Sequence, residues 1–353
     1  MIFTATLCIL ACFTLPAGAE INTQVIFTAN WDANHTEPQL DADGYTVAWP
    51  WKGKIDYWDG HSIKQIGHSA TGAEVKRISI HNGTLAWIGK ASSSDTKYSV
   101  FYWNGTFDQS NHPHIEKISS MDPGSRSDYY APGFSLSLYN GKIAWISSDG
   151  SDGEVYLWDG TYVAGKPHIV QISNDNYPDT GVSMANGMIA WTGGAGPVVR
   201  YWKNGKVHEL NGSSPIWWYD THFVSTSNGG IAWKEDFENS TIKYWDGTFS
   251  NGTPNIITVV PHEEYLWPGD PSLRNGKISY SLVYFDGSAY SRQIYYWDGA
   301  TAFQLNGNIG LGLPTSFFTP APPNSGYGVA YIAENPTSGK MEIRFATSTG
   351  HCI

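Results

Sequence analysis

The apolar positions of this chain fall into short runs, and the same four runs return in the same order along most of its length. The unit is plainest over residues 134–174. Four β-type runs, FSLSLY, KIAWIS, EVYLW and HIVQIS, are separated by turn signals. KIAWIS and VYLW are apolar on both faces, the pattern of a strand covered on both sides. Asn140-Gly141 and Asp159-Gly160 tolerate positive φ at both hairpin positions, so each is expected to form a tight turn. One such sheet cannot hide both of its faces. Copies of it must stack on either side.

The copies are present. The step Ile143-Ala144-Trp145 recurs around Trp49, Trp87, Trp191 and Trp233, and decays to Tyr280 and Tyr331. Each is preceded by a turn dipeptide, for example Asn82-Gly83, Asn186-Gly187, Asn228-Gly229 and Asn275-Gly276. The step Trp158-Asp159-Gly160 recurs at Trp58, Trp103, Trp245 and Trp297, and loosely at Trp202. A period of about 47 residues with four strands per unit is the signature of propeller blades. The expected fold is an all-β, seven-bladed β-propeller of four-stranded antiparallel blades.

The ends of the chain fit this ring. INTQVIFTAN, residues 21–30, has no Ala-Trp partner before it and matches the fourth strand of the other units. VAYIAEN and KMEIRFAT, at the far end, supply a second and third strand without a fourth. The N-terminal strand is therefore expected to complete the last blade and pair two otherwise open sheet edges. A ring overrides the two-domain expectation that the length would suggest, so residues 20–353 form one domain.

Composition changes the picture in three places. A formal net charge of −11 argues against duplex DNA, RNA and anionic membrane as partners. After the first nineteen residues no stretch is long and apolar enough to span a bilayer. Those first residues, MIFTATLCILACFTLPAGA, form an apolar run ending Ala17-Gly18-Ala19. Residues 1–19 are expected to be a signal peptide cleaved before Glu20, although no Lys or Arg precedes Lys52. The chain is then secreted, extracellular or periplasmic. Cys8 and Cys12 leave with the leader and Cys352 stays in the tail, so no disulfide framework is expected.

Candidate chemistry lies in the connections between blades, which converge on one face. They are rich in aromatics and acids, as binding loops on a rigid scaffold can be. Trp31, Tyr130, Trp217, Trp218, Tyr219, Asp220, Tyr265 and Trp267 are the expected ligand-binding residues. Flat rings beside carboxylates suit a neutral sugar, whose C–H face packs on the ring while its hydroxyls donate to the acids. A recurring acid before the first strand (Glu37, Asp179, Asp220, Asp270) is more simply read as satisfying backbone N–H groups.

Enzyme signatures such as His-Glu-x-x-His, Gly-x-Ser-x-Gly or a phosphate loop are absent from the sequence. What remains for catalysis is a loop set of His222, His262, Arg126 and Tyr129. Such groups could run β-elimination on a uronic-acid polymer, with Arg neutralising the carboxylate. Asp149, Asp152 and Glu154 could offer oxygens to Ca²⁺, but their spacing is not that of an EF-hand, and no other cofactor is expected.

The repeat Asn-Gly-x-Ile-Ala-Trp, then Ile/Val-Tyr-x-Trp-Asp-Gly, then Gln-Ile-x-Asn, resembles the propeller repeats of secreted bacterial proteins, loosely TolB-like or surface-layer-like. That resemblance covers nearly the whole mature chain and implies a fold, not an activity. The leading expectation is a monomeric binding module for carbohydrate or another extracellular protein. A propeller polysaccharide lyase or glycoside hydrolase is the alternative, and a protein-binding scaffold the third.

Overall fold

The computed structural model describes residues 21–29, 40–67, 73–121, 134–148, 152–193, 198–210, 224–235, 241–263, 266–285, 290–304, 328–335, 337–338 and 340–348. Their strands form seven separate sheets. The sheets over 41–66, 74–121, 136–171, 180–209 and 224–260 each have four strands in chain order. Blade six opens on two short pieces, Leu266–Pro268 and Ser272–Arg274, which both pair with Lys277–Phe285. Among the described residues blade seven has Gly328–Glu334, Met341–Ser348 and, outermost, the N-terminal strand Ile21–Ala29. That strand runs antiparallel to Met341–Ser348 from Ile21↔Ser348 to Ala29↔Met341. The fold is a seven-bladed β-propeller closed by its own N-terminus.

The turns follow the dipeptides. Asn82, Asn140, Asn186, Asn228 and Asn275 all have φ near 50°, each followed by a glycine of positive φ, so five first-to-second hairpins take the form that matches strand twist. Asp159-Gly160 departs from its expected role. Only Gly160 has positive φ (84°), and the strand runs on through it to Val163, with the hairpin closing at Ala164-Gly165 instead. The register shifts between Trp158 and Tyr162, which makes Asp159-Gly160 a bulge. Asp159 Oδ1 accepts from Thr161 N and Oγ1, and Trp158 Nε1 donates to Thr161 O at 3.0 Å. The same corner recurs at Trp103-Asn104-Gly105-Thr106 and Trp245-Asp246-Gly247-Thr248. A residue that satisfies a buried indole N–H has replaced a turn.

The Ala-Trp step has a packing reason. In each second strand successive side chains point to opposite faces. Trp145 packs towards Ala86 of blade two, and Ala144 faces Trp191 of blade four. Trp87 meets Ala48, Trp233 meets Ala190 and Trp49 meets Ala330 in the same way. A methyl on one blade thus leaves room for the indole of the next. These tryptophans and alanines are at most 1% exposed.

Among the described residues no strand lies on the axis side of an innermost strand, so its N–H groups need other acceptors. The preceding blade supplies them. Ser79 Oγ accepts from Leu138 N (3.0 Å), Ser137 from Met184 N (2.9 Å), Ser183 from Thr226 N (3.0 Å) and Ser225 from Leu273 N (2.8 Å). Blade one uses acids instead: Asp41 accepts from Ile80 N at 2.8 Å and Asp43 from Asn82 N at 2.6 Å. This chain of bonds runs around the axis and leaves a central cavity of about 260 Å³.

Candidate functional site

Among the described residues the wall of the cavity comes from the innermost strands of blades one to six, and its chemistry changes along the axis. Near the first-to-second turns stands a belt of asparagines. Asn82 Nδ2 donates to Asn140 Oδ1 (3.2 Å), Asn186 to Asn228 (2.5 Å) and Asn228 to Asn275 (2.5 Å), while Tyr139 Oη donates to Asn186 Oδ1. Just inside the belt Arg274 is ion-paired with Asp43. His81 beside them accepts from Asn140 N through Nδ1 at 3.2 Å, which places its ring proton on Nε2. Burial lowers the pKa of His81, so the ring is held neutral.

Towards the other end of the same strands lie Asp41, Arg77 and Asp270. Burial pushes the Asp41 carboxyl up to about 6, against the bonds from Ile80 and Ala42 N–H and the charge of Arg77. Burial also lowers Arg77, while Asp41 and Asp270 hold it charged. A guanidinium between two carboxylates gives that end both donors and acceptors on a rigid frame. Three residues before Asp270, Trp267 is half-buried in the strand Leu266–Pro268, where it pairs with Val283. The sequence had put Trp267 in a free connection; extra pairing along the long Lys277–Phe285 strand draws it into the sheet.

A second polar group lies at the seam of blades three and four. Asp152, Glu154 and Asp175 each place a carboxylate oxygen within 4.8 Å of the others. Glu154 is fully buried; its Oε2 accepts from Ser173 Oγ at 2.5 Å and its Oε1 from Asp175 N at 3.0 Å. Burial raises its pKa, and the charges of Asp152 and Asp175 add to the effect. Asp175 takes Arg200 Nη1 at 2.5 Å on Oδ2 and Tyr177 N at 2.8 Å on Oδ1. Asp179 is also fully buried, its N–H donating to Gly153 O at 2.8 Å, yet among the described residues neither of its carboxylate oxygens has a hydrogen-bond partner. Its pKa is pushed up to about 8, first by burial and then by Glu154 and Asp175, with nearby Ser173 and Arg200 opposing.

Of the other expected ligand-binding residues, Trp31, Tyr130, Trp217, Trp218, Tyr219, Asp220 and Tyr265 lie outside the described residues, as do Arg126, Tyr129, His222 and Asp149. His262 is described and exposed. The channel charges Asp41, Arg77 and Arg274 and the Asp175 and Asp179 carboxylates were not expected as a site. Their signal was present: the innermost strands of blades two to six read Ser-x-x-Asn-Gly, and Asp41, His81 and Arg274 are departures from small residues at their positions.

No family model matches the sequence, and no curated protein does. Solved structures do. The β-propeller domain of the trilobed protease from Pyrococcus furiosus aligns with TM-score 0.56 at 12% identity, over 90% of this chain and 97% of that one. The chain is a β-propeller. A chain of the mitotic checkpoint complex aligns at 0.52 and 12% identity over 94% and 96% of the two chains. A prolyl endopeptidase aligns at 0.50 and 13% identity over 90% of this propeller and 47% of that protein. At such identities the likeness is one of fold. The Pyrococcus domain is described as having an open velcro topology; this propeller instead pairs its first strand with its last.

Proposed function

We propose that this propeller is a secreted binding module that takes a neutral carbohydrate at the channel mouth formed by the inter-blade connections. One observation carries the reading: Asp41, Arg77 and Asp270 line one end of the cavity, with the indole of Trp267 three residues from Asp270. Carboxylates accept from sugar hydroxyls, guanidinium donates to them, and an indole face packs against ring C–H groups. The two acids outnumber the arginine, which disfavours a uronate and favours an uncharged ligand. The rigid ring holds these groups in place before the ligand arrives, which lowers the ordering cost of binding.

The test is a panel of neutral and uronic-acid glycans presented to the full chain. Retention of one or more neutral glycans, lost in Trp267→Ala, supports the reading. Retention of uronic polymers alone, or neutral binding that survives in Trp267→Ala, contradicts it.

A further inference from the structure

We propose that the seam between blades three and four binds a divalent cation of the calcium type, held by Asp152, Glu154 and Asp175 with Asp179 as a fourth carboxylate. The site is independent of the channel. Hard cations of this class take six to eight oxygens at about 2.3–2.6 Å, so ligands on opposite sides of the ion stand about 5 Å apart. The three carboxylate oxygens within 4.8 Å of one another match that shell. They come from two connections, Asp152 and Glu154 ahead of and within the third strand of blade three and Asp175 on the way to blade four.

Asp179 supplies the independent observation. A fully buried carboxylate without a hydrogen-bond partner is costly unless something positive meets it. Its backbone N–H is fixed to Gly153 O, between Asp152 and Glu154 in the chain. The charges of Glu154 and Asp175 reach it, and the Ser173 hydroxyl that bonds Glu154 lies close by. Space has been made for it as well: a Cβ on Gly193 would fall 1.8 Å from Asp179 Oδ1. Arg200 orients Asp175 and offsets part of the negative charge. Oxygen-only ligands select calcium or magnesium over zinc, and a site with several carboxylates from separate segments, without octahedral constraint, favours calcium.

The experiment uses the full chain stripped with chelator and titrated calorimetrically with CaCl₂ and, separately, MgCl₂. Tb³⁺ luminescence excited through tryptophan gives a second readout, because Trp191 Cδ1 and Asp179 Oδ1 flank the same glycine. Calcium is expected to bind tighter than magnesium, to displace Tb³⁺ and to raise the melting temperature with the logarithm of its concentration. Glu154→Gln and Asp179→Asn should each weaken calcium binding by about tenfold or more, while melting in chelator at or above the wild-type temperature. Should Glu154→Gln fail to fold, Asp152→Asn, at a half-exposed position, serves in its place. No calcium-dependent heat or melting shift, a preference for magnesium, or unchanged affinity in these variants overturns the proposal.

Discussion

At the scale of residues, the propeller rests on pairings between unlike side chains of neighbouring blades. Trp145 and Ala144 are successive residues that meet opposite neighbours. Trp145→Ala should destabilise the fold by about 3–5 kcal/mol through the cavity it leaves. Ala144→Leu should cost about 1–3 kcal/mol by crowding Trp191. Chemical denaturation of the two variants checks both values, and a neutral Ala144→Leu would show that the seam has slack. Asp41 gives a pH prediction. Its carboxyl is raised from 3.8 to about 6, so the folded chain keeps a proton that the unfolded chain has lost. That contribution is complete below the unfolded value and is lost as pH rises through about 6. Asp41→Ser, the residue of blades two to five at this position, should remove that part of the pH dependence. A wild-type and an Asp41→Ser stability profile that run parallel between those values would contradict the assignment.

Elements were legible where one residue type does one job in most copies. Asn-Gly set five of the first hairpins and Ala-Trp five of the second strands, because the turn favours residues of positive φ and the seam a small residue beside a large one. The Trp-Asp-Gly step misled for the same reason in reverse: its Asp-Gly has the composition of a turn, but bonds from Thr161 and the Trp158 indole hold it as a bulge. The candidate site was less legible because its members are exceptions to the repeat or come from separate connections. Asp175 and Asp152 meet only once blade three is folded. Closure is the element-scale prediction. Removing Ile21–Ala29 should expose the edge of Met341–Ser348, lower the melting temperature and promote association between chains. A truncated chain that melts like the full one and stays monomeric in light scattering would show that the first strand is dispensable.

The whole molecule is a rigid ring whose axis is lined with fixed donors and acceptors, and the account stands or falls on whether that lining receives a ligand. The direct measurement is a calorimetric titration of the best-retained neutral glycan into the full chain and into Asp270→Asn, with melting curves for each. Trp267 touches the question from the aromatic side; Asp270 does so from within the channel wall. The account predicts saturable binding by the wild type that resists added salt, since a neutral ligand releases few counterions. It predicts affinity lower by about tenfold or more in Asp270→Asn, the loss of a charged hydrogen bond of roughly 1.5–3 kcal/mol. Equal affinity in the two proteins, or no neutral glycan bound by the wild type, would contradict it.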